Sequence, residues 1–230
     1  MKQGKLIVID GTDGTGKTTQ TKLLYNYLKA KRIKTAVFDF PQYNTFFGKL
    51  IARYLLGELG GLNDTSPYLS SLPFVLDRLY ARNKMIALLR RGCVILANRF
   101  VSSNAAHQAA KLKTSTAQNI FLEWIYEMEF MVNKLPHEDT VIFLDMPQKI
   151  SAILIDKKKT RAYLKGAKND IHERDKKYQQ MVSKIYRRLA RQHGWTVIQC
   201  FKNNKLLTPT VIHQIIIDKL GDALNGKTGI

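Results

Sequence analysis

Residues 5–24 read KLIVIDGTDGTGKTTQTKLL, and this stretch decides the fold. An apolar run at 6–9 suits a strand buried on both faces. From 18 to 31, Leu23, Leu24, Tyr27 and Leu28 recur at helical spacing. Between strand and helix, Gly11, Gly16, Lys17 and Thr18 fit the pattern G-x-x-x-x-G-K-[ST], and Gly14 adds a third glycine. Glycines let the backbone turn tightly so that successive N–H groups point at a phosphate, and the helix N-terminus adds partial positive charge. In that geometry Lys17 bridges terminal phosphates as a compact cation and the Thr18 hydroxyl ligates Mg²⁺. The stretch therefore predicts a nucleoside-triphosphate site.

Beyond the loop, apolar runs at 35–40, 93–97, 140–144 and 195–200 read as further strands. Helical spacing covers 46–59, 73–90, 102–111, 117–133, 148–158, 170–193 and 209–224. Pro73 is expected to start its helix after a polar turn at 63–71, and Gly60-Gly61 to close the helix before it. Alternation of strand and helix predicts an α/β fold: a five-stranded parallel sheet with helices on both faces, a three-layer sandwich. Ligands then sit beyond the carboxyl ends of the strands. One domain, 1–224, is expected, with a lid segment at about 157–170 and a frayed tail at 225–230.

The chain has 230 residues, and 37 Lys plus Arg against 18 Asp plus Glu give a net charge of +19. Such a balance points to anionic partners. Nucleic acid is disfavoured, because the aromatics fall at core spacing and are not interleaved with the charges. No run approaches the roughly 18 apolar residues of a membrane span. The first strand starts near residue 5, so no leader is expected, and Cys93 and Cys200 read as buried thiols of a reducing, cytoplasmic compartment.

Six segments in order resemble the thymidylate kinases over nearly the whole chain. Asp13 lies inside the loop, where many of these kinases carry an acid that holds the acceptor's 3′-hydroxyl. Phe40-Pro41-Gln42-Tyr43 is similar to their Phe-Pro-x-Tyr segment, and Phe74 with Arg78 to their base-reading pair. Asn98-Arg99-Phe100 stands where the family has Asp-Arg-Tyr, followed by Ser103-Asn104 and Gln108. Leu144-Asp145-Met146-Pro147 resembles their Leu-Asp-x-Pro, and Asp170-Ile171-His172-Glu173 the segment that closes the lid. The resemblance implies a P-loop nucleoside monophosphate kinase that moves the γ-phosphoryl of ATP to dTMP with Mg²⁺, as a homodimer.

On that resemblance Gly11, Asp13, Gly14, Thr15, Gly16, Lys17, Thr18 and Thr19 hold ATP, and Thr18 with Asn98 holds the metal. Acceptor residues are Asp13, Phe40, Pro41, Tyr43, Phe74, Arg78, Arg99, Ser103, Asn104 and Gln108, with His107 and His172 near the sugar. Lys17, Asn98, Arg99 and Arg161 form the catalytic set. The chemistry suits these types: Phe74 and Arg78 share a helical face, so a ring stacks on a pyrimidine while a guanidinium donates to a base carbonyl. Arg99 emerges from an apolar strand and offers a bidentate grip on a phosphate. The stretch at 157–168, KKKTRAYLKGAK, carries six basic residues and no acid, with Arg161 its only arginine. Because Gly14 occupies the loop position where some members carry their arginine, the lid is expected to supply it. Asn98 keeps the shape of the family's Asp but loses its charge, so slowed turnover is expected. A kinase for another deoxynucleoside monophosphate, a nucleic-acid-binding P-loop ATPase and a catalytically dead binder are the alternatives.

Overall fold

The computed structural model describes residues 3–156 and 170–224. Five parallel strands form the central sheet: β1 (Leu6–Asp10), β2 (Thr35–Asp39), β3 (Val94–Asn98), β4 (Thr140–Asp145) and β5 (Thr196–Gln199), in the order β2-β3-β1-β4-β5. All five residues of β1 are buried, as a strand covered on both faces requires. Their alternation separates two cores. Ile7 and Ile9 pack with Leu24 and Leu28 of α1 (Lys17–Ala30) and with Ile212, Ile216 and Leu220 of α9 (Pro209–Leu224). Leu6 and Val8 face Ala81, Met85 and Leu89 of α3 (Pro67–Arg90) and Val101 of α4 (Val101–Ala109). A third cluster joins α4 to α5 (Ser115–Tyr126) and α8 (Lys176–Gln192) through Ala105, Phe121, Ile125, Val182 and Tyr186. The three-layer α/β sandwich expected from the sequence is the fold observed.

Several boundaries differ from the sequence reading. The α3 helix starts at Pro67, not Pro73: the Ser66 hydroxyl caps it by accepting from the Leu69 N–H at 3.2 Å. Pro73 sits inside the helix, where its missing donor falls on the carbonyl of Leu69, a residue open to water. The preceding helix, α2 (Phe46–Leu56), stops before Gly57 at φ +85°, earlier than Gly60-Gly61. The 170–193 segment is two helices. Asp170 and Glu173 form a capping box on α7 (Ile171–Arg174), and Asp175 caps α8 through the Tyr178 N–H. After α5 the chain makes a π-helical turn, Glu127–Val132, that carries Glu129 inward.

A short hairpin, β6 (Phe201–Lys202) with β7 (Lys205–Leu206), turns on Asn203 and Asn204 at φ +50° and +57°. The remaining helix, α6 (Gln148–Asp156), follows β4. Both cysteines are buried and free. Among the described residues no helix is long and apolar enough to cross a membrane. Residues 157–169 of the expected 157–170 lid, Arg161 among them, and the tail at 225–230 lie outside the described residues.

Candidate active site

The carboxyl ends of β1, β2 and β3 meet at one edge of the sheet and deliver three loops to it. β1 ends in Asp10, fully buried, whose carboxylate accepts from the Gly11 N–H at 2.8 Å, Ser102 at 2.5 Å, Ser103 at 2.8 Å and Tyr186 at 2.7 Å. That cluster pins the base of the phosphate loop. Within the loop Lys17 Nζ donates to the carbonyls of Gly11 and Thr12 at 3.0 and 2.8 Å, and Thr15 Oγ1 donates to Thr12 at 2.9 Å. The ammonium therefore already lies over the backbone that would surround a phosphate. Gly14, at φ +82°, approaches α6 so closely that a Cβ there would meet the Ser151 carbonyl at 2.4 Å.

β3 ends in Asn98, and Arg99 follows in the left-handed region at φ +66°. A non-glycine residue held there is a strained position of the kind found at ligand sites. Its guanidinium donates to Ser103 Oγ at 3.0 Å and makes an ion pair with Asp13 of the phosphate loop. Burial alone would raise the Asp13 carboxyl. The adjacent Arg99 and Lys17 cations outweigh that and hold it well below the usual carboxylate range. Burial likewise opposes the Arg99 charge, but Asp13 holds the guanidinium protonated. Asn98 Nδ2 donates to Thr18 Oγ1 at 3.2 Å and to Asp39 Oδ1 at 2.7 Å.

A cleft of about 470 Å³ opens beyond these groups. It is lined by Asp13, Gly14, Gly16, Lys17, Thr18 and Thr19 from the loop and by Phe40, Pro41 and Tyr43 after β2. Phe74, Arg78, Asn98, Arg99, Ser103, Asn104, His107, Gln108 and His172 also line it, as do Asp39, Leu55, Asp77, Phe100 and Asp170. Gly11 and Thr15 do not line it; they shape the loop from beneath. Every candidate acceptor residue from the sequence thus reaches one cavity, and Arg161 falls outside the described residues.

At the far end Phe74 packs edge-on against Tyr54, with ring centroids 6.2 Å apart. Arg78 Nε donates to Glu129 at 3.0 Å in a buried ion pair, and Nη1 reaches the Phe100 carbonyl at 3.4 Å. His107 and His172 stack at 5.3 Å, and His172 meets the Tyr54 hydroxyl at 3.3 Å. Burial pushes His172 down to about 3 and His107 far below its ordinary value, so both rings are neutral near pH 7. Asn104 Oδ1, His107 Nε2 and Gln108 Nε2 are buried with no hydrogen-bond partner among the described residues. Three unanswered polar atoms of mixed donor and acceptor character suit a heteroaromatic ligand whose edge is polar.

Sequence reasoning missed Glu129, Asp77 and Lys111. Glu129 sits in the apolar run FLEWIYEMEFMV, and an acid in such a run was the available signal. Asp77 accepts from the Gln42 N–H at 2.9 Å and from Thr45 at 3.2 Å, anchoring the Phe40-Pro41-Gln42-Tyr43 segment to α3. The Gln42 side chain spends itself on Asp77, at 3.3 Å from its carbonyl. Lys111 donates to Tyr54, Thr65 and Ser70 at 3.2, 3.1 and 2.8 Å, and burial pushes it down to about 8.

A phosphate loop after the first strand of a parallel sheet, opening together with an arginine onto one cleft, is the arrangement of a P-loop nucleoside monophosphate kinase. The Thymidylate kinase family model matches residues 9–208, and the chain belongs to that family. It is 33% identical to thymidylate kinase of Mycobacterium tuberculosis over 192 residues, covering 83% of this chain and 87% of the relative. It is 32% identical to the Plasmodium falciparum thymidylate kinase over 146 residues, 64% of this chain and 63% of that one. The solved structure of thymidylate kinase from Candida albicans superposes with a TM-score of 0.75 over 97% of this chain and 93% of the other, at 20% identity, so it speaks for the fold. As a member of this family the chain draws its phosphate from ATP.

Proposed function

We propose that the chain phosphorylates dTMP with ATP to give dTDP and ADP. An oxygen of the acceptor's 5′-phosphate attacks the γ-phosphorus, the bond from that phosphorus to the β–γ bridging oxygen breaks, and ADP leaves with the electron pair. The phosphate loop and Lys17 cradle the donor. Arg99 grips the acceptor phosphate, and Asp13 orients both Arg99 and the sugar. Phe74 stacks on the base, Arg78 and Asn104 donate and accept at its edge, and His107, Gln108 and His172 enclose the sugar side. Alignment and preorganised charge lower the barrier. The observation that carries this reading is Arg99, held in a strained backbone between the phosphate loop and the base recess.

Mg²⁺ fits the same edge. Thr18 and Asn98 offer hard oxygen donors, and Asn98 Oδ1 is buried with no partner among the described residues. No group of three or more His, Cys, Asp or Glu side chains is placed to hold a metal among those residues, so a bound cation would rest on nucleotide phosphates as well. When bound it neutralises charge on the transferring phosphates. Arg161 belongs to the same proposal as the lid's cation. So do a cytoplasmic location and a homodimer, the latter supported by the exposed Leu69, Leu79 and Tyr80 on α3; in the apolar run 121–132, Phe121, Leu122 and Ile125 are core while Met131 and Val132 are exposed.

A coupled assay with ATP, Mg²⁺ and a panel of monophosphates tests the assignment. The expected result is ADP release dependent on a monophosphate, with the highest kcat/KM for dTMP. A better deoxynucleotide acceptor would reassign the substrate. Hydrolysis stimulated by DNA without any monophosphate would overturn the kinase reading.

A further inference from the structure

Four carboxylates line the cleft among the described residues: Asp13, Asp39, Asp77 and Asp170. Three are committed. Asp13 is paired with Arg99, Asp77 accepts from Gln42 and Thr45, and Asp170 caps α7. Asp39 differs. It ends β2, is open to the cleft, and accepts from Asn98 Nδ2 at 2.7 Å through Oδ1. The same amide nitrogen lies 3.2 Å from Thr18 Oγ1, so one side chain joins Asp39 to the hydroxyl that ends the phosphate loop. Asn98 is 5% exposed, lines the cleft, and leaves Oδ1 with no partner among the described residues. One amide nitrogen therefore ties an open carboxylate to the hydroxyl that ends the phosphate loop, and the carboxylate and hydroxyl are both hard oxygen donors on the cleft wall.

We propose that Asp39 is the carboxylate that positions the divalent cation of the bound nucleotide, in concert with Thr18 and Asn98. The inference rests on the phosphoryl-transfer reading above. Position 98 is the cross-strand partner of position 39 in the register of β2 and β3. A second acid at 98 would set two carboxylates one hydrogen bond apart, where like charges disfavour joint ionisation. The amide instead ties the lone charge of Asp39 in place. The charge expected at the end of β3 is thus moved one strand over, not lost, and Asn98 need not slow the enzyme.

Mn²⁺ affinity, read by electron paramagnetic resonance on the whole chain saturated with a non-hydrolysable ATP analogue, tests this without turnover. D39N keeps an oxygen that can accept from Asn98 but removes the charge, and about 10- to 100-fold weaker Mn²⁺ binding is expected. The exchange variant D39N/N98D returns the charge to β3 and should bind within about threefold of the parent, with the metal-free melting temperature of each variant checking the fold. If D39N alone fails to fold, the exchange variant decides: parent-like affinity supports the proposal. Affinity of D39N within about twofold of the parent, or an exchange variant that binds Mn²⁺ tenfold or more weakly than the parent, overturns it. A chain that phosphorylates dTMP while D39N binds Mn²⁺ normally refutes only Asp39's role. One that shows the Mn²⁺ pattern but phosphorylates no monophosphate refutes only the kinase assignment.

Discussion

Arg78→Ala separates the two tasks of the buried ion pair. The Arg78 and Glu129 side chains are 3% and 0% exposed, so neither charge has water to fall back on. Deleting the guanidinium leaves a carboxylate in the core at a cost of about 3–5 kcal/mol. For a chain of this size each kcal/mol moves Tm by roughly 2–4 °C, so a fall of about 10 °C is expected. The loss depends on pH. Burial already raises the Glu129 carboxyl against the opposing pull of Arg78. Without Arg78 its folded pKa climbs further above the unfolded value, so stability is lost as pH rises and recovered on acidification. Arg78→Met with Glu129→Met removes both charges and should regain all but about 1–2 kcal/mol. Both variants lose a charged donor to the base, worth about 1.5–3 kcal/mol, so KM for dTMP should rise about 10- to 100-fold while KM for ATP moves less than threefold. Thermal melts at pH 6 and 8 with steady-state kinetics read all of this. A single variant that melts within 2 °C of the parent, or a double variant less stable than the single one, refutes the energetic argument; an unchanged KM for dTMP refutes the base-reading role.

Gly14→Ala and Gly16→Ala should part company. Both glycines have positive φ, costing alanine about 1–2 kcal/mol, but a Cβ at Gly16 meets nothing within 4 Å whereas at Gly14 it strikes Ser151. Melting curves and KM for ATP should show Gly14→Ala as the more damaging; the reverse order would contradict the loop packing. His172→Gln tests the neutral histidine. Its pKa is depressed in the fold, so the unfolded chain binds the extra proton and stability falls as pH drops below about 6.5. Between pH 7.5 and 5.5 the parent should lose about 1.4 kcal/mol more than the variant, seen as a wider gap between their acid and neutral melts. Identical responses would remove the buried neutral ring from the account.

Local chemistry made the sheet, the phosphate loop and most of the cleft legible in the sequence. A strand buried on both faces reads as LIVID because each side needs apolar atoms, and a phosphate loop needs its glycines at fixed places. Caps decide the helix starts: Ser66-Pro67 outranks Pro73, and Asp175 starts a new helix, because satisfying the first orphan N–H groups matters more than continuing a periodic pattern. What the linear chain could not reveal is which polar groups meet across it. Asp10 with Tyr186, Arg78 with Glu129 and Asp39 with Asn98 are paired by packing of distant segments, 176, 51 and 59 residues apart. The acids in the apolar run 121–132 hint at an inward carboxylate, but only the π-helical turn decides that it is Glu129. Residue types fixed what each element could become; only the folded core, by excluding water, decided which charges had to find one another.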